Sequence, residues 1–232
     1  MERTRDRIYP ERYGAFDQDI VLARPEQVEG AAFDLCVIGT PPESHLELAV
    51  REMDSQHGLL LVEKPLAPRG RKALGSFSSL AQAAGTRVLV GYNQRLKPNT
   101  QKLLELSQSS DLGELQSLTA RTSEDWAGIL KAHPWITAAE DTYLGYTQRG
   151  GGALYEHSHA TDFALFIANA LGQGRPERVR AALDFVEHDA GRYDREAVLE
   201  IAMASGLVVR VAQDLHTWPA EKSLEAVFEH GT

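Results

Sequence analysis

DLCVIGTPPESHLELAV, residues 34–50, passes from one kind of structure to another within a few positions. Leu35–Ile38 is a continuous apolar run of strand length, and small residues and two prolines follow it. Beyond them Leu46, Ala49, Val50 and Met53 stand at spacings of three, four and seven, the stripe of an amphipathic helix. Ser44 is a candidate N-cap and Gly58 a candidate stop. The pattern then repeats. Leu59–Val62 in GLLLVEK and Val88–Val90 in TRVLVGY are further apolar runs, and RKALGSFSSLAQAAG between them reads as a helix with a glycine end. Strand–helix–strand–helix–strand, with right-handed crossovers, makes a parallel α/β layer. Continuous apolarity further predicts strands buried on both faces.

After the third strand the pattern changes. A helix over roughly 98–109 ends at the DLGE turn, 111–114. Segments 115–125, 177–187, 196–204, 207–215 and 222–230 alternate apolar and polar residues, and Ser205-Gly206 is a hairpin signal. Such strands predict an antiparallel sheet with one wet face. A helix around 157–171, with Ala160, Phe163, Ala164, Ile167 and Leu171 as its apolar stripe, sits among them. The expected fold is an α/β layer over residues 1–95, then an α+β domain over 96–232 with an open, mainly antiparallel sheet.

Composition narrows the function classes. The 232 residues are 43% hydrophobic and 25% charged, an ordinary globular balance. A formal charge of −9 with no basic stripe argues against nucleic acid as a partner. No apolar run approaches the roughly 18–20 residues of a membrane span, so no membrane partner is expected. MERTRDRIYPERYG has no apolar core segment and is not a secretory signal. The single cysteine, Cys36, leaves no internal disulfide, and a reducing cytoplasm is the simplest home.

Three strands end in polar residues at one edge, where open α/β sheets bind ligands. IGTPPESH (38–45) follows the first, and its small residues and prolines let a ligand approach the backbone. Glu63-Lys64-Pro65 closes the second, placing an ammonium that could steer a proton or polarise a carbonyl. GYNQR (91–95) closes the third, with Asn93 and Arg95 as candidate ligand contacts.

A fourth segment, GGGALYEHSHATDF (150–163), offers Glu156, His157, His159 and Asp162. If its helix begins near Glu156, then Glu156, His159 and Asp162 share one face, while His157 lies about 200° from His159 at roughly 100° per residue. The two histidines then cannot meet at one ion. No CxxC or HExxH pattern supplies other ligands, so no metal is expected. Proton transfer by His159 beside a carboxylate fits the residues, as does a polar helix start with Glu156 favoured by the macrodipole.

The order IGTPPESH, LLLVEKPLA, VLVGYNQR, GGGALYEHSHATDFALFIANALG resembles the Gfo/Idh/MocA oxidoreductases from about residue 12 to the end. YLGYTQRGGGALYEHSH is similar to the branch acting on nucleotide-linked or amino sugars. The resemblance implies a Rossmann NAD or NADP domain, then a C-terminal domain with an open sheet that serves homo-oligomers. It implies hydride transfer at a secondary alcohol of a sugar, nucleotide-sugar or cyclitol. It also implies Lys64 as the lysine that positions the reacting hydroxyl, His159 as the proton-handling histidine and Asp162 as the acid that tunes it. Glu156 falls near the acidic position before that histidine, as a substrate contact with Arg95. Gly39, Thr40, Pro41, His45, Glu63 and Asn93 would line the nicotinamide side of the cleft.

One departure stands out. The family's G-x-G-x-x-G turn, which seats the pyrophosphate on backbone N–H groups, has no counterpart in Met1–Glu29, where Gly14 is the only glycine. The sequence also stops short of the strand and helix expected after HGT. The parallel layer is therefore expected to be an incomplete Rossmann-like one. A fragment, a naturally shortened non-catalytic homologue that binds a sugar or a partner, and a cofactor site completed by another chain all remain open. A half-built parallel sheet also predicts self-association through its unpaired edges.

Overall fold

The computed structural model describes residues 4–68, 71–108, 110–132 and 136–231. A short helix, α1 (Tyr9–Tyr13), precedes β1 (Leu35–Ile38), α2 (His45–Met53), β2 (Leu59–Val62), α3 (Arg71–Ala84) and β3 (Val88–Val90). All three strands fall on the predicted apolar runs and pair parallel in the order β1-β2-β3. Ile38, Leu60 and Val62 face α2 and α3, packing with Ala49, Met53 and Phe77.

The opposite face corrects one expectation. Val37, Leu61 and Leu89 lie in register across the sheet, and Val37 and Leu89 are 55% and 53% exposed. Apolar runs record what the strands could bury. The crossovers of two consecutive βαβ units put both helices on one side, so the described chain covers one face only. Gly58 is a second correction, since α2 ends at Met53. Gly58 instead donates its N–H to the Phe33 carbonyl, and a Cβ there would come within 2.7 Å of the Asp34 carbonyl oxygen. Ser44 makes no side-chain cap to α2; its hydroxyl donates to the Pro41 carbonyl.

The remaining elements are α4 (Pro98–Leu106), β4 (Leu115–Ser123), α5 (Trp126–Ala132), α6 (Ala153–Glu156), α7 (Ser158–Ala170), β5 (Pro176–His188), β6 (Gly191–Met203), β7 (Val208–Asp214) and β8 (Glu221–Phe228). Ser109, the predicted end of α4, lies outside the described residues. The sheet order is β5-β6-β7-β4-β8, antiparallel except where β4 runs parallel to β7. β6 starts earlier than its alternation predicts, because β5 and β6 close a tight hairpin at His188 and Gly191. On the inner face Leu118, Leu199, Val209 and Val211 pack against Ala164 and Ile167 of α7. No helix among the described residues is long and apolar enough to cross a membrane.

Candidate active site

At the carboxyl edge of the three-stranded sheet, a cavity of about 290 Å³ is lined by Gly39, Thr40, Pro41, Pro42, Glu63, Lys64 and Tyr143. The turns after β1 and β2 therefore converge, as the sequence implied. Glu63 accepts the Lys64 N–H at 3.1 Å and rests its carboxylate against Gly91, so the turn after β3 abuts the same corner. Two expected lining residues are elsewhere. His45 is fully buried behind the wall, its ring nitrogens 2.6 Å and 2.9 Å from the Thr40 and Pro65 carbonyl oxygens, so it braces the lining. Asn93 is exposed at the head of a 3-10 turn, Asn93–Leu96, and is not in the lining.

The GGG run is a close-packing device. A Cβ at Gly150 would meet Pro42 at 2.8 Å, one at Gly151 the Leu144 carbonyl oxygen at 2.1 Å, and one at Gly152 the Asp194 carboxylate at 2.2 Å. Only glycine lets this turn lie between the two sheets. It delivers α6, and the predicted single helix is broken here. His157 sits between α6 and α7 with φ −95° and ψ 21°, so Glu156 ends one short helix and His159 lies in the first turn of the next.

The break does not separate Glu156, His159 and Asp162, which all face the parallel layer with a different partner each. Lys64 Nζ donates to the Glu156 carboxylate at 3.0 Å and to its carbonyl oxygen at 2.9 Å. Tyr143 donates its hydroxyl to the other Glu156 oxygen at 3.2 Å. His159 lies edge-on to Tyr92, ring centres 5.6 Å apart. Asp162 is gripped by Arg95 through both Nε (2.8 Å) and Nη2, with the guanidinium 5.1 Å from the Phe166 ring centre.

That geometry bears on two expected roles. Arg95 is committed to Asp162, so its substrate contact would require breaking a two-pronged ion pair. Asp162 forms no hydrogen bond to His159 among the described residues and reaches it only through its charge. His159 also opens onto a second cavity, of about 270 Å³, with Gln94, Lys97, Thr122, Phe163 and Lys222 in its wall.

Burial pushes the Glu156 carboxyl up, but the Lys64 ammonium, with His157 and the Tyr143 hydroxyl, holds the group below its ordinary value. Burial and then the Lys64 charge lower His159, against the pull of Asp162, Glu63 and Glu156. A neutral His159, its Nδ1 buried and unpartnered, is therefore a base at neutral pH. Tyr143 is raised well above its ordinary value by burial and by Glu156. His157 is 5% exposed and pushed down to about 4, chiefly by burial.

The described residues bring one trio of metal-ligating groups together, Cys36, Glu52 and His57, with ligand atoms within 4.8 Å. The Phe33 N–H donates to His57 Nδ1 at 3.2 Å, which puts the ring proton on Nε2, facing Glu52 at 3.2 Å. The ring is already spent as a brace between the β1 approach and α2.

Sequence reading missed Tyr143, Tyr92 and Asp194. Tyr143 lies in the YLGYTQR run and could have been found there. Asp194 lies in HDAGRYDR, where nothing signals a partner some 40 residues away.

A family model described as GFO/IDH/MocA C-terminal domain matches residues 100–232. No curated protein matches. Among solved structures, the chain is similar to GenD2 from gentamicin A biosynthesis in complex with NAD, at 19% identity and TM-score 0.75, covering 96% of this chain and 59% of that one. It is similar to the WlbA dehydrogenase from Bordetella pertussis in complex with NADH and UDP-GlcNAcA (20% identity, TM-score 0.66, 84% of this chain and 56% of that one). An inositol dehydrogenase homolog complexed with NAD+ from Azotobacter vinelandii is similar at 12% identity and TM-score 0.70, covering 84% and 50%. The chain thus spans under two thirds of the length of these relatives, and at such identity the likeness establishes the fold.

Proposed function

The chain belongs to the GFO/IDH/MocA family, and from that premise we propose that it carries the substrate side and the nicotinamide edge of an NAD(P)-dependent oxidoreductase site. The substrate class is a secondary alcohol of a sugar, nucleotide-sugar or cyclitol. We divide the chain at about residue 95, into a partial dinucleotide-binding layer and a substrate and oligomerisation domain, acting in the cytoplasm with the open sheet meeting a second copy. The observation that carries the reading is the Lys64–Glu156 contact, which joins the parallel layer to the segment bearing His159.

The residues at the cavity fit the nicotinamide end of such a cofactor. Gly39 has nothing within 4 Å of where a Cβ would lie, so a flat ring could approach the backbone there. When bound, the nicotinamide serves as hydride acceptor. The chain's own groups do the rest. His159, uncharged and half-buried, takes the hydroxyl proton as the alcohol becomes a ketone. Lys64 holds the hydroxyl oxygen, oriented by the Glu156 carboxylate and carbonyl, with Tyr143 fixing the far oxygen of Glu156. Fluorescence titration with NADH and NADPH tests this. Micromolar binding weakened about tenfold by Lys64→Ala is expected, and no binding up to millimolar concentration would overturn it.

One observation favours a second reading, a non-catalytic homologue that binds a sugar or a partner subunit. Lys64 and Arg95 are both already neutralised within the chain, by Glu156 and Asp162. Sugar binding without cofactor, together with no alcohol oxidation at any NAD(P) concentration, is its signature; turnover would exclude it.

A further inference from the structure

We infer that Asp194 on β6 is the positioning residue that sets Lys64 and Glu156 against each other. This rests on the oxidoreductase-type site proposed above. Asp194 is fully buried, and no cation lies against it among the described residues. Apart from its own backbone N–H, the partners of its carboxylate lie at the two ends of the Gly-rich turn. Oδ1 accepts the Thr147 hydroxyl at 3.3 Å, just before the turn, and Oδ2 accepts the Leu154 N–H at 2.7 Å, just after it. Between them Gly152 lies so close that a Cβ would stand 2.2 Å from Oδ1. One carboxylate thus closes both ends of the Thr147–Leu154 segment.

The next residues carry the consequence. Leu154 belongs to α6, whose last residue is Glu156, and Glu156 receives Lys64 through both its carboxylate and its carbonyl. A carbonyl has no side-chain freedom, so the Lys64 contact depends on the α6 backbone, which Asp194 holds. A buried carboxylate without a counter-ion is costly. It is offset here by a fixed turn that no residue type other than glycine could follow.

Amine-labelling of Lys64, followed by peptide mass spectrometry on the intact chain, reads the contact without needing turnover. Wild-type Lys64 is expected to label slowly, since its side chain is 15% exposed and doubly hydrogen-bonded. Asp194→Ala is expected to raise the rate about tenfold, as Glu156→Gln does less strongly. Asp194→Asn keeps an acceptor for Leu154 but sets an N–H against the Thr147 hydroxyl region, and it falls between; it decides the matter if the alanine variant does not fold. Phe228→Ala, in the core at the far end of β8, loosens the fold without touching the turn and stays within about twofold of wild type. The proposal fails if the Asp194 variants label like wild type, if Phe228→Ala labels like Asp194→Ala, or if Glu156→Gln leaves Lys64 unchanged. NADH titration of the same samples separates the two levels. Labelling that follows Asp194 in a chain that binds no NADH would sink the functional reading and leave the positioning role standing.

Discussion

Two rows of side chains, one on the outer face of each sheet, set the halves of this molecule apart. Across the five-stranded sheet the row runs Arg180, Glu200, Arg210, Thr119, Glu225 in direct register. Across the three-stranded sheet it runs Val37, Leu61, Leu89. The inner faces are alike, both apolar and both covered by helices. The outer faces differ because β4–β8 alternate and β1–β3 do not. An alternating strand can be at ease with one face in water, whereas a continuously apolar strand leaves hydrophobic surface wherever a cover is lacking. Inner-face burial tells how each half holds together, and outer-face chemistry tells what each half still needs.

The largest effects should come from equal cuts on the two inner faces. Leu60→Ala and Leu118→Ala, both at fully buried positions, are each expected to cost about 3 kcal/mol in denaturant unfolding. A cost below about 1 kcal/mol at Leu60 alone would break the comparison, because the small sheet would then lack a real core.

Acid should test the inner side of the large sheet almost as strongly. The folded state holds His157 near 4, below the ordinary 6.5, so it declines a proton that the unfolded chain accepts. Its stabilising share is complete above pH 6.5 and is lost as pH falls from there through about 4, up to about 3 kcal/mol. Unfolding curves across that range should show the loss, and His157→Gln should flatten it. An unchanged slope in the variant would place the acid sensitivity elsewhere.

The outer faces give a smaller but cleaner contrast. Val37→Lys with Leu89→Lys should reduce self-association in light scattering with little change in the unfolding midpoint, since both positions are more than half exposed. Association that persists unchanged would rest on the open five-stranded sheet alone. Smallest of all, Glu200→Gln against Arg210, an exposed pair at 3.7 Å, should cost no more than about 0.5 kcal/mol. A larger value would mean that the charged row is covered by a partner.

Much of this was legible beforehand, for reasons visible in particular residues. Leu35–Ile38, Leu59–Val62 and Val88–Val90 became strands without adjustment, since a short apolar run bounded by Gly and polar residues has few other uses. Gly39, Thr40, Pro41, Glu63 and Lys64 gather at one cavity because parallel strands bring their carboxyl ends to one edge. His45 and Asn93 do not line that cavity, since proximity in sequence to a site does not say whether a side chain faces it or stands behind it. The helix break at His157 was hidden as well. The residues on either side have helical periodicity, and nothing in that periodicity marks His157, whose φ of −95° and ψ of 21° end α6 before α7 begins.

Local pattern by itself determined the eight strands, their order along the chain, the parallel layer and the residue types able to handle a proton. Those properties follow from periodicity and from backbone sterics within a few residues. Tertiary structure alone decided the partners: Lys64 with Glu156 at 3.0 Å, Arg95 with Asp162, and Asp194 with the backbone of Leu154. It also decided that one face of the small sheet is bare. Hydrogen bonds and cover act between groups that are distant along the chain, and their energies depend on distances that exist only once the chain has closed on itself.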